Sequence, residues 1–151
     1  MIEFRKILLP VDFSPLSEVA ARYGSRLAER FGSRIHVIHV VPAGALAATV
    51  PEQVTKRVAS PQPRLADAQR QLEAFVLRHL AGLAVTQRAV CGEPAAAIVR
   101  EASEAAADLI VMGTHADGVV KRLVFGSVSK SVLESAPCAV LLVPLAAARS
   151  A

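Results

Sequence analysis

Short, almost unbroken apolar runs recur along this chain, and each is followed by a stretch with helical character. Ile7-Leu8-Leu9-Pro10-Val11, the run from Ile35 to Val41, Leu109-Ile110-Val111-Met112 and Cys138-Ala139-Val140-Leu141-Leu142-Val143 lack the strict in–out alternation of a half-exposed strand. Strands of that kind have to be covered on both faces. Covering both faces of a sheet takes helices, and helices between successive strands make the sheet parallel.

The intervening segments supply the helices. Ser14 is an N-cap type, Pro15 suits the first helical position, and Gly32 is a stop, which predicts a helix from Pro15 to about Phe31. Leu65, Ala68, Leu72, Phe75, Val76, His79 and Leu80 recur at helical spacing. Gly92-Glu93-Pro94 turns into a helix over about 95–106, and a last helix runs from Ser127 to about Ser135 before Pro137. Ala84 to Val90 is a more polar strand, as expected at a sheet edge. Residues 42–61 hold Pro42, Pro51 and Pro61 without strong periodicity, so they form a long connection with at most a helical turn near Glu52 to Arg57. The order β-α-β-α-β-α-β-α-β predicts an α/β fold: one doubly wound domain over residues 1–146, with a five-stranded parallel sheet and helices on both faces. Residues 147–151 are a short C-terminal tail.

In such sheets ligands bind beyond the carboxyl ends of the strands, where the strand order reverses. Pro10-Val11-Asp12 and Met112-Gly113-Thr114 are the two strand ends with polar or glycine residues, and they are the expected walls of that crevice. The segment after Met112 is the most informative. Gly113 ends a strand, Gly118 lies within the following loop, and Gly126-Ser127 opens a helix. A bare helix N-terminus after such a loop presents backbone N–H groups to an anion, so phosphate is the first ligand to consider. Gly113 and Gly118 have P-loop spacing, but Val119-Val120 stands where Lys and Ser or Thr are required. The dinucleotide GxGxxG pattern is absent, and no GxSxG elbow surrounds Ser127 or Ser129.

The remaining pattern resembles the universal stress protein family, whose ATP-binding members carry G-2x-G-9x-G-(S/T) after the fourth strand. Gly113 fits the first glycine; the nine residues Asp117 to Phe125 then separate position 116 from Gly126-Ser127. Ala116 departs from the pattern, standing where the ATP binders have their second glycine. Ile7 to Asp12, His39-Val40-Val41, Gly92-Glu93-Pro94 and Ala136 to Val143 also agree, so the resemblance covers nearly the whole chain.

The resemblance implies an adenine nucleotide alpha hydrolase-like fold and a site for ATP or AMP, with or without magnesium. It implies that Asp12 meets the ribose or adenine, Val40 touches adenine, and Gly113 lies near the ribose and phosphates. Gly126, Ser127 and the amides of Val128 and Ser129 would hold the phosphates. With Pro10, Val11, Met112, Thr114 and Ala116 these form the expected nucleotide site. The role implied is a stress-response sensor or regulator that dimerises through the last strand, Cys138 to Val143. Ala116 keeps a second possibility open: a member that binds no nucleotide and acts as a dimeric protein-interaction module.

Other classes fit poorly. The formal charge is +4, but the basic residues are dispersed, with one Tyr and no Trp for base stacking, which argues against nucleic acid. His36 and His39 are three apart on a strand and face opposite sides, so they cannot share a metal. A receiver domain needs a phosphoacceptor aspartate where this chain has Val90-Cys91-Gly92. A small electron-transfer flavoprotein shares the architecture too, and yellow colour on purification would reveal it. No general base stands beside the glycine loop, so slow ATP hydrolysis is the most catalysis expected. Cys91 and Cys138 form no CxxC pair, the N-terminus is charged, and no apolar run approaches a membrane span, so the cytoplasm is the expected compartment.

Overall fold

A computed structural model describes residues 2–43, 62–114 and 126–150. The strands are β1 (Lys6–Pro10), β2 (Arg34–Pro42), β3 (Val85–Gly92), β4 (Leu109–Thr114) and β5 (Ala139–Pro144). The helices are α1 (Pro15–Phe31), α2 (Gln62–His79), α3 (Pro94–Glu104) and α4 (Ser127–Ser135). The helical turn expected near Glu52 to Arg57 lies outside the described residues. So do His115, Ala116, Gly118 and the Lys121-Arg122 pair.

All five strands pair in parallel, in the order β3-β2-β1-β4-β5. The chain winds outward from β1 through β2 to β3, returns to β4 on the other side of β1, and ends at β5. The order reverses between β1 and β4. The polar strand β3 is an edge, as its composition predicts, and apolar β5 is the other edge.

The apolar runs of β1 and β4, and β2 at Ile35, Val37 and Ile38, are buried as their lack of alternation requires, whereas in the edge strand β5 only Val143 is buried and the expected cover on both faces is missing. Ile7, Leu8 and Leu9 have no exposed surface. Ile7, Leu9, Ile35, Val37 and Val111 pack with Val19, Ala20 and Ala28 of α1 and Leu72 and Phe75 of α2. Leu8, Ile38, Ile110 and Met112 pack on the opposite face with Ile98 and Ala102 of α3 and Val132 of α4. Full burial of each such aliphatic side chain contributes ~1.5–3 kcal/mol. After β5 a 3₁₀ helix, Leu145–Ser150, keeps the chain against α1: Ala147 and Ala148 join that core, and the Tyr23 hydroxyl donates to the Ala147 carbonyl.

Helix ends follow their sequence signals. Ser14 accepts from the Ser17 amide at the start of α1, and Gly32 ends it in the left-handed region at φ 66°. Gly113 has a different constraint. A Cβ built there would lie 2.8 Å from the Leu16 Cβ and 2.9 Å from the Leu16 carbonyl oxygen. The first turn of α1 therefore rests directly on the end of β4, and only glycine leaves room for it. Gly113→Ala should cost about 1–3 kcal/mol, the usual penalty of overpacking against backbone. Urea unfolding checks this; a midpoint equal to wild type would show that α1 does not press on β4.

Candidate functional site

The reversal of strand order splays β1 and β4 apart at their carboxyl ends, and a cavity of about 440 Å³ lies there. Ligand cavities commonly fall in the range of about 300–1,000 Å³. Eleven of the twelve residues expected from the sequence line it: Pro10, Val11, Asp12, Val40, Met112, Gly113, Thr114, Gly126, Ser127, Val128 and Ser129. The twelfth, Ala116, lies outside the described residues. Pro42, Pro94 and Ile98 add an apolar flank, contributed by the end of β2 and the first turns of α3. Sequence patterning gave no reason to choose these three, because the approach of α3 to β2 is a tertiary fact.

Three of the helices that start at this edge of the sheet, α1, α3 and α4, contribute residues to the cavity, and their N-termini are not equivalent. At α1 the donors are taken locally: the Asp12 carboxylate accepts from the Ser14 amide at 3.0 Å and from the Ser17 hydroxyl at 2.7 Å, while the Asp12 amide donates to the same hydroxyl oxygen. At α3 the Glu93 carboxylate accepts from the Ala95 and Ala96 amides at 3.1 and 2.7 Å. At α4 the N-cap is Gly126, and no side chain among the described residues caps the helix. Of these three, α4 presents the open donors of a first helical turn, together with the positive end of its dipole.

Ser127 is the first residue of α4, as the sequence reading places it, and Gly126 occupies the cap. Ser129 is buried and donates its hydroxyl to the Gly126 carbonyl at 3.0 Å. Its role in the wall is to brace the first turn, which leaves the backbone amides and the exposed Ser127 as the donors of that turn. The hydroxyl of Thr114 is the converse case. Thr114 is 4% exposed, and its Oγ1 has no hydrogen-bond partner among the described residues. A buried, unpaired hydroxyl costs about 1–3 kcal/mol, so its place in a cavity wall suits contact with a polar ligand.

Asp12 carries the charge in this wall. Partial burial raises its pKa, but hydrogen bonds from Ser14 and Ser17 outweigh burial and hold the carboxyl below its ordinary value of 3.8. At neutral pH it is an anion that can accept hydrogen bonds from hydroxyl or amino groups.

The remaining candidates separate. His36 Nε2 lies 2.7 Å from the buried Glu101 carboxylate on the α3 face, whereas His39 Nδ1 lies 2.8 Å from the Val11 carbonyl, so they point apart as the strand period requires. No cluster of three metal-ligating side chains occurs among the described residues. Cys91 and Cys138 are free thiols, and burial together with the nearby Asp108 charge pushes the Cys138 thiol up. No helix among the described residues is long and apolar enough to cross a membrane.

Comparison with known proteins gives one consistent result. The family model described as the universal stress protein family matches residues 3–144. A universal stress protein of Thermus aquaticus is 37% identical over 147 residues, covering 93% of this chain and 98% of that one. One from Methanocaldococcus jannaschii is 29% identical over 145 residues, covering 93% and 82%. Among solved structures, UspA of Lactobacillus plantarum superposes with a TM-score of 0.68 at 25% identity, covering 93% of this chain and 98% of that one. A universal stress protein in complex with cAMP gives 0.68 at 21% identity, covering 95% and 98%. The Archaeoglobus fulgidus universal stress protein in complex with dAMP gives 0.57 at 23%, covering 94% and 98%. At those identities the last two establish likeness of fold.

Because the folded-state pKa of Asp12 is lowered, its charge contributes stability that is fully present above its unfolded value and lost as pH falls through the folded value. The stability difference between wild type and Asp12→Asn should therefore be constant near neutrality and shrink as pH drops below about 3.8. Denaturant unfolding of both proteins between pH 7 and pH 2.5 checks this, and a difference that grows on acidification would reverse the sign.

Proposed function

This chain belongs to the universal stress protein family, and on that premise we propose that the cavity between β1 and β4 binds an adenine nucleotide, ATP or AMP, as the sensing step of a cytoplasmic stress-response regulator. One observation carries the reading. A carboxylate arm, an apolar flank, an unpaired buried hydroxyl and the uncapped start of α4 converge on a single cavity. Each suits one part of the ligand. The apolar surfaces of Val40, Pro42, Pro94 and Ile98 accept a purine ring. Asp12 accepts hydrogen bonds from ribose hydroxyls. The amides of Ser127, Val128 and Ser129 meet phosphate oxygens without needing a lysine. Relatives solved with cAMP and dAMP support an adenine nucleotide over other phosphates.

The residues fit binding better than turnover. Asp12 is the one carboxylate among the described lining residues, and its hydrogen bonds to Ser14 and Ser17 hold it at the ribose end. Magnesium would be held chiefly by the phosphates, with water completing its shell.

Protein purified under native conditions and then denatured should release ATP or AMP at near one per chain, or the empty protein should gain thermal stability in excess ATP and magnesium. Empty protein that shows no thermal shift would overturn the reading. Gly126→Val should abolish the shift. Among the described residues a Cβ at Gly126 meets only the Ser129 hydroxyl, at 3.8 Å, so the described fold accepts a side chain there while the proposed phosphate position is crowded.

A second activity is compatible with the first. Strand β5 is an edge strand, and its Val140, Leu141 and Leu142 are only half-buried. An apolar edge invites strand pairing, and two copies related by a two-fold axis would join β5 to β5 antiparallel. We propose a homodimer through this strand. Wild-type protein should sediment at twice the chain mass. Ala139→Lys, at an exposed position of the strand, should shift it to monomer with an unchanged circular dichroism spectrum; a wild-type monomer would sink the proposal.

A further inference from the structure

The β1–β2 ladder stops in an unusual way at the wall of the cavity. Pro10 is the last residue of β1, paired with Ile38, and the Val11 amide still donates to the Ile38 carbonyl at 2.9 Å. The next acceptor on this side is the Val11 carbonyl. In a parallel pair, the amides of one strand that point to a given neighbour come from alternate residues. Arg34 donates towards β1 and Ile35 towards β3, so Ile38 and Val40 also present their backbone groups to the β1 side. Continuing the ladder would give the Val11 carbonyl to the Val40 amide. Instead the His39 side chain takes it, with Nδ1 at 2.8 Å. A carbonyl has only lone pairs to offer, so Nδ1 carries the hydrogen.

The same ring holds the next part of the loop. Phe13 has φ 64°, a left-handed conformation that a bulky side chain rarely adopts. Such a conformation persists only where the surroundings enforce it. The Phe13 ring lies 4.4 Å from the His39 ring and 6.1 Å from that of Phe75. The arm bearing Asp12 is thus fixed at Val11 by a hydrogen bond to His39, at Phe13 by ring packing on His39, and at Asp12 by Ser17. His39 itself lines the cavity beside Val40.

We propose that His39 is a positioning residue of the ligand site. By capturing the Val11 carbonyl it ends the β1–β2 ladder one step early. That leaves the Val40 amide without its ladder partner at the crevice wall, available to a ligand ring, and fixes the arm that carries Asp12. The ligand half of this inference rests on the adenine-nucleotide reading; the ladder half does not.

Three measurements test it. In wild-type protein, long-range proton–nitrogen NMR should show His39 protonated on Nδ1, and a ring protonated only on Nε2 overturns the proposal. In the absence of ligand, hydrogen exchange of the Val40 amide should slow about tenfold in His39→Leu, where the Val11 carbonyl becomes free to pair with it. Equal exchange in the two proteins also overturns the proposal. In calorimetric titration with ATP, His39→Leu should bind about tenfold more weakly than wild type. His39→Asn, whose side-chain amide can donate to the same carbonyl, should recover most of that loss. Wild-type affinity in His39→Leu refutes the positioning role, as does a failure of His39→Asn to recover affinity. If wild type itself binds no ATP, the nucleotide reading fails, and the tautomer and exchange results still decide whether His39 ends the ladder.

Discussion

Everything at the candidate site depends on one topological constraint: the strand order reverses beside β1. Strand β1 leads through α1 to one side of the sheet, and β4 leads through α4 to the other. The helices that follow them therefore cover opposite faces, and the carboxyl edge of the sheet opens between β1 and β4. The central position of β1 requires burial on both faces, which Ile7, Leu8 and Leu9 satisfy. The gap is kept narrow by Gly113, which lets the first turn of α1 rest on the end of β4. One residue thus joins fold and site. Its lack of a side chain is explained by helix packing before any ligand is considered.

The chemistry within the gap comes from how helix N-termini are satisfied. The starts of α1 and α3 are occupied by side chains of their own chain, Ser14 with Asp12 in one case and Glu93 in the other. The start of α4 is open, and Ser129 spends its hydroxyl bracing that turn rather than reaching outward. Opposite it stands an Asp12 held ionised by two serines. One wall therefore offers donors and the other an acceptor, with apolar surface between them. A ligand with an anionic end, hydroxyl groups and a flat ring matches that arrangement.

Much of this was legible in the residues. The apolar runs specify parallel strands because nothing else buries both faces of a short segment. Ser14-Pro15 and Gly32 bound α1 because capping chemistry is local. Both β3 and β5 are edge strands, the first polar and the second apolar, and only the polar one is marked as an edge by its composition. The helix start at Ser127 was legible as well, but a serine near a helix start can cap, donate outward or bond back to the chain, and the bond of Ser129 back to Gly126 was not legible. His39 was weighed only as a metal ligand, since its bond to Val11 joins two strands whose adjacency the sequence leaves open.

By itself the sequence determined the element order, the parallel sheet and the two strand ends that face one another, because hydrophobic period and capping signals act over a few residues. It also placed the chain in its family, because the spacing from Gly113 to Gly126-Ser127 survives without knowledge of the fold. Only the tertiary structure decided which helix N-terminus stays open, why Gly113 must be glycine, and that an imidazole ends the β1–β2 ladder. Those facts depend on contacts between segments far apart in the chain, where distances of a few ångströms, rather than local preferences, set which groups meet.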